Sequence, residues 1–296
     1  MALSSQLSAQ RSFVIAMKFF LTGAQGQLAL QFQKTLKNTD HTLVSFNRED
    51  LDISGFQAVS DKISEHKPDV VINCASYNFV DKAEDDFDTA YSVNATGVKN
   101  LAVACKNKDI LLVHYSTDYV FDGTKEDFYT EEDEPNPVSR YGESKLQGEQ
   151  LLRQETDNFL LFRVSWVFGE GKSNFLYKLS EWARKNRTLK IVSDQVSVPT
   201  YTEDIVNVTM FALNKGLRGM YHLTNSGYAS RYEFARYYLE QMEMDTLVLP
   251  VTTDYFPSPA KRPYFSAMSN RKLSQELNID IPDWKLGIER YVKNIR

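Results

Sequence analysis

A tyrosine and a lysine four positions apart, Tyr141 and Lys145, are the residues of this chain best suited to acid–base chemistry. They lie in a stretch with helical periodicity, where this spacing places both side chains on one face. A free tyrosine has a pKa of about 10 and is a poor proton relay at neutral pH, but a nearby ammonium group lowers that pKa. The pair therefore predicts proton transfer to a carbonyl or from an alcohol.

A hydroxyl residue stands upstream of this pair, at the end of a predicted strand. Residues 110–116 are typical of a buried parallel strand, and Thr117 follows them at the edge of the sheet where ligands bind. We expect the Thr117 hydroxyl to hydrogen-bond a substrate carbonyl oxygen while Tyr141 donates its proton. Ser116 is the rival hydroxyl, but neighbouring strand residues point to opposite faces, so only one of the two can serve.

A glycine turn after the first predicted strand indicates a dinucleotide site. Gly23 allows a tight turn, Gly26 allows the backbone to approach a pyrophosphate, and Ala29 is small enough for the next helix to pack on the strand. The N-terminus of that helix offers free N–H donors and the positive end of its dipole. The predicted cofactor-binding positions on this turn are Gly23, Gln25, Gly26, Gln27 and Leu28.

The end of the second predicted strand bears on the choice of cofactor. An acidic residue there binds the ribose 2′-hydroxyl of NAD, whereas a basic residue accommodates the 2′-phosphate of NADP. Here Arg48 precedes the first carboxylate, Glu49. NADP(H) is therefore the preferred cofactor and NAD(H) the alternative, although a simply solvated Arg48 is an equally open interpretation. Asp52 and Ile53 follow where an adenine ring could be flanked.

The elements that must position these residues alternate regularly between strand and helix from Met17 to about residue 169, and they include one long helix at about 89–107 and a strand at 160–167. This order predicts an α/β fold with a Rossmann-type, doubly wound parallel sheet. The alternation loosens afterwards, which predicts a smaller α/β substrate-binding lobe and a ligand crevice beside it. We expect a leader or tag at 1–16, a dinucleotide-binding domain at 17–169, and mainly the substrate-binding lobe at 170–296, with a soft boundary where the chain can cross back to the sheet.

Composition and charge argue against several classes of protein. The chain of 296 residues has a net charge of −5, which disfavours nucleic-acid binding. The two cysteines, Cys74 and Cys105, lie in apolar runs without ligand-spaced partners, so we expect reduced thiols and no metal site. No apolar run has the length needed to span a bilayer. We therefore expect a soluble, cytoplasmic enzyme, monomeric or homodimeric, that acts on a small molecule and binds no membrane.

The motifs, taken in this order, resemble those of the extended short-chain dehydrogenase/reductases: Gly-x-x-Gly-x-x-Ala at 23–29, Ser-Thr at 116–117 and Tyr-x-x-x-Lys at 141–145. Longer runs resemble more narrowly the dTDP-4-dehydrorhamnose reductase family, and the resemblance covers everything from Met17 to the C-terminus. These runs lie at 80–84, 114–123, 141–146, 163–169, 194–195 with 199–200, 221–225 and 259–263.

The resemblance implies NADPH-dependent reduction of the 4-keto group of dTDP-4-dehydro-L-rhamnose to dTDP-L-rhamnose, a precursor of cell-surface polysaccharide. Tyr141 is then the proton donor, Lys145 a cofactor ligand and Thr117 the hydroxyl that tunes the site. The chain departs from the family pattern after Asn73, where it has Cys-Ala-Ser-Tyr instead of a run of alanines. The backbone contacts to the cofactor that the family implies at this place would come from Cys74, Ala75 and Ser76.

The same resemblance implies a set of substrate contacts. Asp118 and Trp166 would contact the sugar or nucleotide, Asn174 and Arg262 the thymidine diphosphate, and Thr117 the substrate at its carbonyl group. From the residues alone, Trp166 is equally well explained as core, and Arg262 could merely pin its Pro-rich loop. A cation is nevertheless needed opposite a dianionic diphosphate, and the fork geometry of arginine suits it.

Two other functions stay open at this point. One is another nucleotide-sugar reductase or epimerase. The other is a non-catalytic, NADP-binding regulatory subunit resembling the beta subunit of methionine adenosyltransferase. The intact set of Tyr141, Lys145 and Thr117 disfavours the second, because a silent subunit has no need for a proton relay.

Overall fold

A six-stranded parallel sheet forms the centre of the computed structural model, which describes residues 16–172 and 174–296. The predicted leader at 1–16 lies outside the described residues except for Ala16. The strands of this sheet are β1 (Lys18–Thr22), β2 (Thr42–Phe46), β3 (Val70–Asn73), β4 (Leu111–Thr117), β5 (Phe159–Val164) and, much later in the chain, β10 (Gly219–His222). Their order across the sheet is β10-β5-β4-β3-β1-β2, and every neighbouring pair is parallel. The expected Rossmann-type α/β fold is confirmed.

Successive residues of the central strands face two different cores, as a sheet covered on both faces requires. In β1, Phe19 and Leu21 belong to one core and Phe20 to the other, and all three are fully buried. Apolar faces of helices close both cores. The helices of this part are α1 (Gln27–Leu36), α2 (Phe56–His66), α3 (Phe87–Tyr91), α4 (Gly97–Lys106) and α5 (Arg140–Glu155).

The chain after residue 169 contributes to both parts of the molecule. Strand β10 pairs with β5 at one edge of the central sheet, and the helix 202–214 packs on α1. Leu273 and Leu277 of the helix 271–277 are buried in the same core as Phe19, whereas most of the other elements surround a separate aromatic-rich core. These later elements are the short strands β6 (Val167–Phe168), β7 (Thr188–Val192), β8 (Val196–Ser197), β9 (Thr200–Tyr201), β11 (Ala229–Ser230) and β12 (Leu247–Val251), and the helices α6 (Phe175–Lys185), α7 (Thr202–Asn214), α8 (Arg231–Gln241), α9 (Arg271–Leu277) and α10 (Trp284–Ile295).

Two local features differ from the sequence-based expectation. The single long helix expected near residues 89–107 contains a π-helical turn at Ser92–Thr96 between α3 and α4. The strand expected to run through Val167 ends at Val164, and Trp166 follows in a left-handed conformation with φ of 37°. Both departures lie at the edge of the sheet that the predicted site uses, where irregular backbone often redirects side chains. Among the described residues, no helix is long and apolar enough to cross a membrane.

Candidate active site

The structure brings the predicted proton donor and hydroxyl residue together at the carboxyl edge of the sheet. Thr117 is the last residue of β4, and Tyr141 lies in the first turn of α5, which Ser139 caps by accepting a hydrogen bond from Gly142 N at 3.2 Å. Glycine is needed at 142 because a Cβ there would collide with the Tyr119 carbonyl oxygen. This close approach allows the first turn of α5 to pack against the loop that follows Thr117.

Burial dominates the electrostatics of the tyrosine. Tyr141 is 8% exposed, and its ring contacts the edge of Tyr119 with the centroids 5.6 Å apart. Burial raises the pKa of Tyr141, and a hydrogen bond with Thr117 partly opposes that rise, whereas Asp118 reinforces it. The phenol is therefore protonated at neutral pH and able to donate. Thr117, rather than a neighbouring ammonium, opposes the rise in this arrangement.

Lys145 lies deeper along the same face of α5. Its Nζ donates to the carbonyl oxygen of Tyr115, in β4, at 2.7 Å, and the side chain is almost completely buried. Burial lowers the pKa of Lys145 to about 8, and Glu149, one helical turn further on, opposes that lowering. The amine is thus held against the strand beside Cys74, whose thiol pKa is raised by burial.

The glycine turn has the close backbone packing expected of a dinucleotide site. Gly23 has a φ of 68°, and a Cβ on it would lie 2.6 Å from Ala75 N and 2.7 Å from the carbonyl carbon of Cys74. Gly26 precedes α1 and offers no side-chain cap to the first N–H groups of the helix. Gln27 Oε1 is buried without a hydrogen-bond partner among the described residues, although its Nε2 donates to Val167 O at 3.0 Å. Both features suit an approaching ligand with polar groups.

The remaining two positions predicted on this turn lie differently. Gln25 is exposed at the turn, and Leu28 is half-buried against the core that contains Phe19. Leu28 can therefore reach a ligand only through its backbone N–H, whereas the side chain of Gln25 is free to move toward one. The turn thus offers mainly backbone donors, as its small residues require.

A cavity of about 160 Å³ opens beside the glycine turn. It combines apolar walls with one guanidinium group, which suits an adenine ring and a phosphate. Arg48 Nε lies 3.7 Å from Asp52 Oδ2, and both side chains are well exposed, so this ion pair is weak and easily exchanged. The cavity is lined by Gly23, Arg48, Leu51, Asp52, Ile53, Ala75, Ser76, Tyr77, Phe79 and Val93. Six of these residues were predicted from the sequence, and these geometric features fit a dinucleotide cofactor.

An asparagine that the sequence reasoning missed joins the loop after β3 to α5, the helix that contains Tyr141 and Lys145. Asn94 lies in the π-helical turn, accepts from Tyr77 N at 2.9 Å and Ser76 Oγ at 3.0 Å, and donates to Ser144 Oγ at 3.0 Å. Ser144 lies between Tyr141 and Lys145 and points into this network. The only sequence signal for Asn94 is a polar residue on the apolar face of a predicted helix.

Asp118 is placed differently from the expected ligand of a sugar. Its carboxylate is 2% exposed and accepts from Ser197 Oγ at 2.8 Å, Ser266 Oγ at 2.6 Å and Thr117 Oγ1 at 3.2 Å. Burial raises its pKa and these hydroxyl groups lower it. Because Ser197 and Ser266 both come from the later part of the chain, Asp118 ties that part to the end of β4.

Trp166 and Asn174 also have protein partners. The sequence placed Trp166 in a strand, which is wrong: the residue stands in a left-handed bend, and the Arg231 guanidinium lies 4.1 Å from its ring centroid. Asn174 is the N-cap of α6; it accepts from Tyr177 N at 2.9 Å and donates to Gly169 O at 2.7 Å. Its amide thus holds the loop that precedes the helix.

Arg262 links a late loop to the cofactor side of the crevice. Its Nη2 donates to Asp81 Oδ2 at 2.7 Å, and its Nη1 contacts Ser258 Oγ and Ala260 O. Tyr119, whose ring packs against Tyr141, also interacts with this guanidinium. The predicted anion ligand and the predicted proton donor are therefore neighbours through one tyrosine. Within the described ranges, no group of three or more His, Cys, Asp or Glu could hold a metal ion.

Comparisons with known proteins show the family to which this chain belongs. The family model described as RmlD substrate binding domain matches residues 17–296. A dTDP-4-dehydrorhamnose reductase from Burkholderia thailandensis is 35% identical over 296 residues, covering 94% of this chain and 99% of that protein.

Two solved structures of similar proteins extend this comparison. The dTDP-4-dehydrorhamnose reductase of Clostridium acetobutylicum has a TM-score of 0.91 at 38% identity, covering 94% of this chain and 99% of its own. The Bacillus anthracis enzyme in complex with NADP has a TM-score of 0.91 at 34% identity, covering 95% and 100%. The resemblance inferred from the motifs is confirmed. The chain belongs to the RmlD substrate binding domain family, and over most of its length it is similar to dTDP-4-dehydrorhamnose reductases.

Proposed function

We propose that this protein is an NADPH-dependent oxidoreductase that reduces the 4-keto group of dTDP-4-dehydro-L-rhamnose, forming dTDP-L-rhamnose. The observation that carries the proposal is the approach of Thr117 and Tyr141 at the sheet edge, beside the cavity that contains Gly23 and Arg48. Membership of a family that includes dTDP-4-dehydrorhamnose reductases supports the choice of substrate.

The residues of the chain supply the proton and its control. Tyr141 is held protonated by burial, so it can donate to the carbonyl oxygen as that oxygen gains negative charge. Thr117 supports the same oxygen or the phenolate that Tyr141 becomes. When bound, the reduced nicotinamide supplies the hydride that reaches the carbonyl carbon. Lys145 would hold the nicotinamide ribose and orient the ring.

The cofactor would lie on the glycine turn. The N–H groups that open α1 would hold the pyrophosphate, and Gln27, whose Oε1 is buried without a partner among the described residues, could find one on the cofactor. Ile53 and the backbone of Ala75 would flank the adenine. NADP is the preferred cofactor and NAD a weaker alternative, because the Arg48 guanidinium can leave Asp52 for a 2′-phosphate.

The substrate would bind between the edge of the sheet and the late loop. Arg262 would receive the diphosphate by exchanging Asp81 for it, since a dianion is the stronger partner. Trp166 would contact the sugar or nucleotide with its partly exposed ring. Asp118 and Asn174 would act on the substrate indirectly, because protein donors and acceptors already satisfy their side chains.

We further propose a cytoplasmic, monomeric or homodimeric enzyme with a cofactor-binding part at 17–169 and a mainly substrate-binding part at 170–296. The free thiols of Cys74 and Cys105 favour a reducing compartment. Sedimentation of the pure protein and fractionation of cells that produce it would test assembly and location.

The deciding experiment follows the absorbance of the reduced nicotinamide with pure protein and the dTDP-linked 4-keto sugar. We expect oxidation of NADPH faster than of NADH, and a stoichiometric amount of dTDP-L-rhamnose. A UDP-linked keto sugar separates the related reductases and epimerases. Binding of NADPH without oxidation by any keto sugar would instead indicate the regulatory-subunit alternative.

A further inference from the structure

A buried ion pair lies one helical turn beyond Lys145. Glu149 in α5 and Arg163 in β5 are each 2% exposed. Arg163 Nε donates to Glu149 Oε1 at 3.0 Å, and Nη2 donates to Oε2 at 2.7 Å. This bidentate geometry fixes the carboxylate in one orientation. Because a buried ion pair contributes little net stability, its position beside Lys145 points to a role other than stability.

The surroundings of Lys145 contain little to compensate a buried positive charge. Its one hydrogen bond in the described structure is to the Tyr115 carbonyl. Cys74 faces it from the loop after β3, and His114 from β4. Burial raises the pKa of the Cys74 thiol and lowers the pKa of the His114 imidazole, so both groups are neutral. Within the described part of the chain, Glu149 is the negative charge that acts on Lys145.

We propose that Glu149 is a positioning residue for the reaction: held by Arg163, it is the counter-ion that keeps Lys145 protonated. The ammonium form of Lys145 has three N–H donors, so it could donate to both hydroxyl groups of a ribose while it also donates to the Tyr115 carbonyl, whereas the neutral amine has only two N–H donors. The inference rests on the proposed function, which supplies the role of Lys145. It assigns a role to a pair of residues that touch neither the cofactor turn nor the Thr117–Tyr141 contact.

The two partners of the ion pair act on Lys145 in opposite directions. Burial lowers the pKa of Lys145 to about 8, and Glu149 is the largest influence that raises it. Removal of the Glu149 charge therefore lowers that pKa further, and Lys145 loses its proton at a lower pH. Removal of the Arg163 charge takes away a positive neighbour, so as long as Glu149 stays ionised it does not lower the pKa of Lys145. The charged lysine is present below its pKa and lost above it.

The test compares Glu149→Gln with Arg163→Gln, which break the same ion pair from opposite sides. The pH profile of kcat/KM for NADPH reports groups of the free enzyme, so its alkaline limb follows Lys145. We expect this limb to move down by about one pH unit in Glu149→Gln, with a roughly fivefold loss at pH 8. In Arg163→Gln we expect the alkaline limb to stay in place or to move up. In Glu149→Asp, which keeps the negative charge, we expect the limb to stay near that of the wild type.

Several outcomes would overturn the proposal. An unmoved limb in Glu149→Gln, or a limb that moves down as far in Glu149→Asp as in Glu149→Gln, would leave the pair with a structural role only. If Glu149→Gln does not fold, the double variant Glu149→Gln/Arg163→Gln removes both charges; its limb must still lie below that of the wild type. The pH dependence of NADPH binding, followed by fluorescence without sugar, decides the same question even if the wild type reduces no keto sugar.

Discussion

The backbone nitrogen of Ala75 lies 2.6 Å from the point where a Cβ on Gly23 would stand. This contact joins the turn after β1 to the loop after β3, and it forms one wall of the cavity beside the glycine turn. The space left by the missing side chain is what allows the two loops to meet. Any residue larger than glycine must push the two loops apart or strain its own backbone, whose φ is 68°.

Gly23→Ala is expected to lower the free energy of unfolding by about 2–5 kcal/mol, because a left-handed alanine and a backbone collision both cost energy. Gly216→Ala is the matched control. Gly216 has a φ of 69°, but no described atom lies within 4 Å of the place that a Cβ would take, so only the conformational cost of about 1–2 kcal/mol applies. Urea unfolding without cofactor measures both values, and equal losses would contradict the steric argument.

Tyr141→Phe is expected to reduce kcat by about 10²–10⁴-fold, since the substitution removes the proton donor and little else. Affinity for NADPH, measured by fluorescence titration, should remain that of the wild type. Tyr238→Phe removes a different buried phenol, which forms a hydrogen bond with Ser180 at 2.7 Å in the aromatic-rich core. This substitution should leave kcat nearly unchanged. Full activity of Tyr141→Phe would exclude the proposed mechanism.

Arg48→Ala is expected to weaken NADPH binding by about 10- to 100-fold, the usual value of a charge-assisted contact to phosphate. Affinity for NADH, which lacks the 2′-phosphate, should not change. Calorimetric titration with both cofactors makes the comparison within one variant. Parallel losses for the two cofactors would show that Arg48 supports the cavity instead of recognising the phosphate.

Arg262→Ala is expected to raise the KM for the dTDP-linked sugar by about 10- to 100-fold, because the diphosphate loses a bidentate partner. Asp81→Asn removes the carboxylate that now pairs with Arg262 at 2.7 Å and should leave KM unchanged or lower it. Steady-state kinetics at saturating NADPH distinguish the two. A similar rise in KM for both variants would mean that the ion pair shapes the loop and Arg262 does not meet the substrate.

Asn174→Ala is expected to lower the free energy of unfolding by about 1–2 kcal/mol through loss of the cap of α6. Asn174→Asp keeps the acceptor for Tyr177 N but sets a carboxylate oxygen against the Gly169 carbonyl, to which the amide now donates, so it should also lose stability despite the favourable charge at the helix N-terminus. If the side chain also contacts the diphosphate, the same aspartate raises KM by repulsion. An unchanged KM in Asn174→Asp would show that this side chain only holds the loop before α6 and does not contact the diphosphate.

Much of the fold follows from local sequence. Alternation of apolar strands and amphipathic helices indicates a parallel sheet, because parallel strands need helical crossovers between them. The glycine turn and Thr117 were predicted at one edge for the same reason, since the carboxyl ends of parallel strands face the same way. The spacing of Tyr141 and Lys145 within one helix completed the candidate site.

The partners of side chains could not be predicted in this way, because they come from distant parts of the chain. Asp118 bonds Ser266, 148 residues later, and this contact makes a predicted sugar ligand into a tie between two parts of the molecule. The sequence predicts Asn94 as an ordinary helical residue. In the structure the π-helical turn places its side chain where it accepts a hydrogen bond from Tyr77 N, in the loop after β3. Such contacts depend on how the helices and late loops pack, which no local pattern encodes.

The sequence by itself determined the order of the elements, the place of the glycine turn and the residue types available for proton transfer. Only the tertiary structure decided which charges surround them. The helical spacing led us to expect that Lys145 acts on Tyr141. In the structure the buried ammonium of Lys145 donates to the Tyr115 carbonyl, and Thr117 acts on the phenol of Tyr141 instead. Helical spacing sets the face on which a side chain lies, whereas its charge state depends on the solvent and the partners that folding removes or supplies.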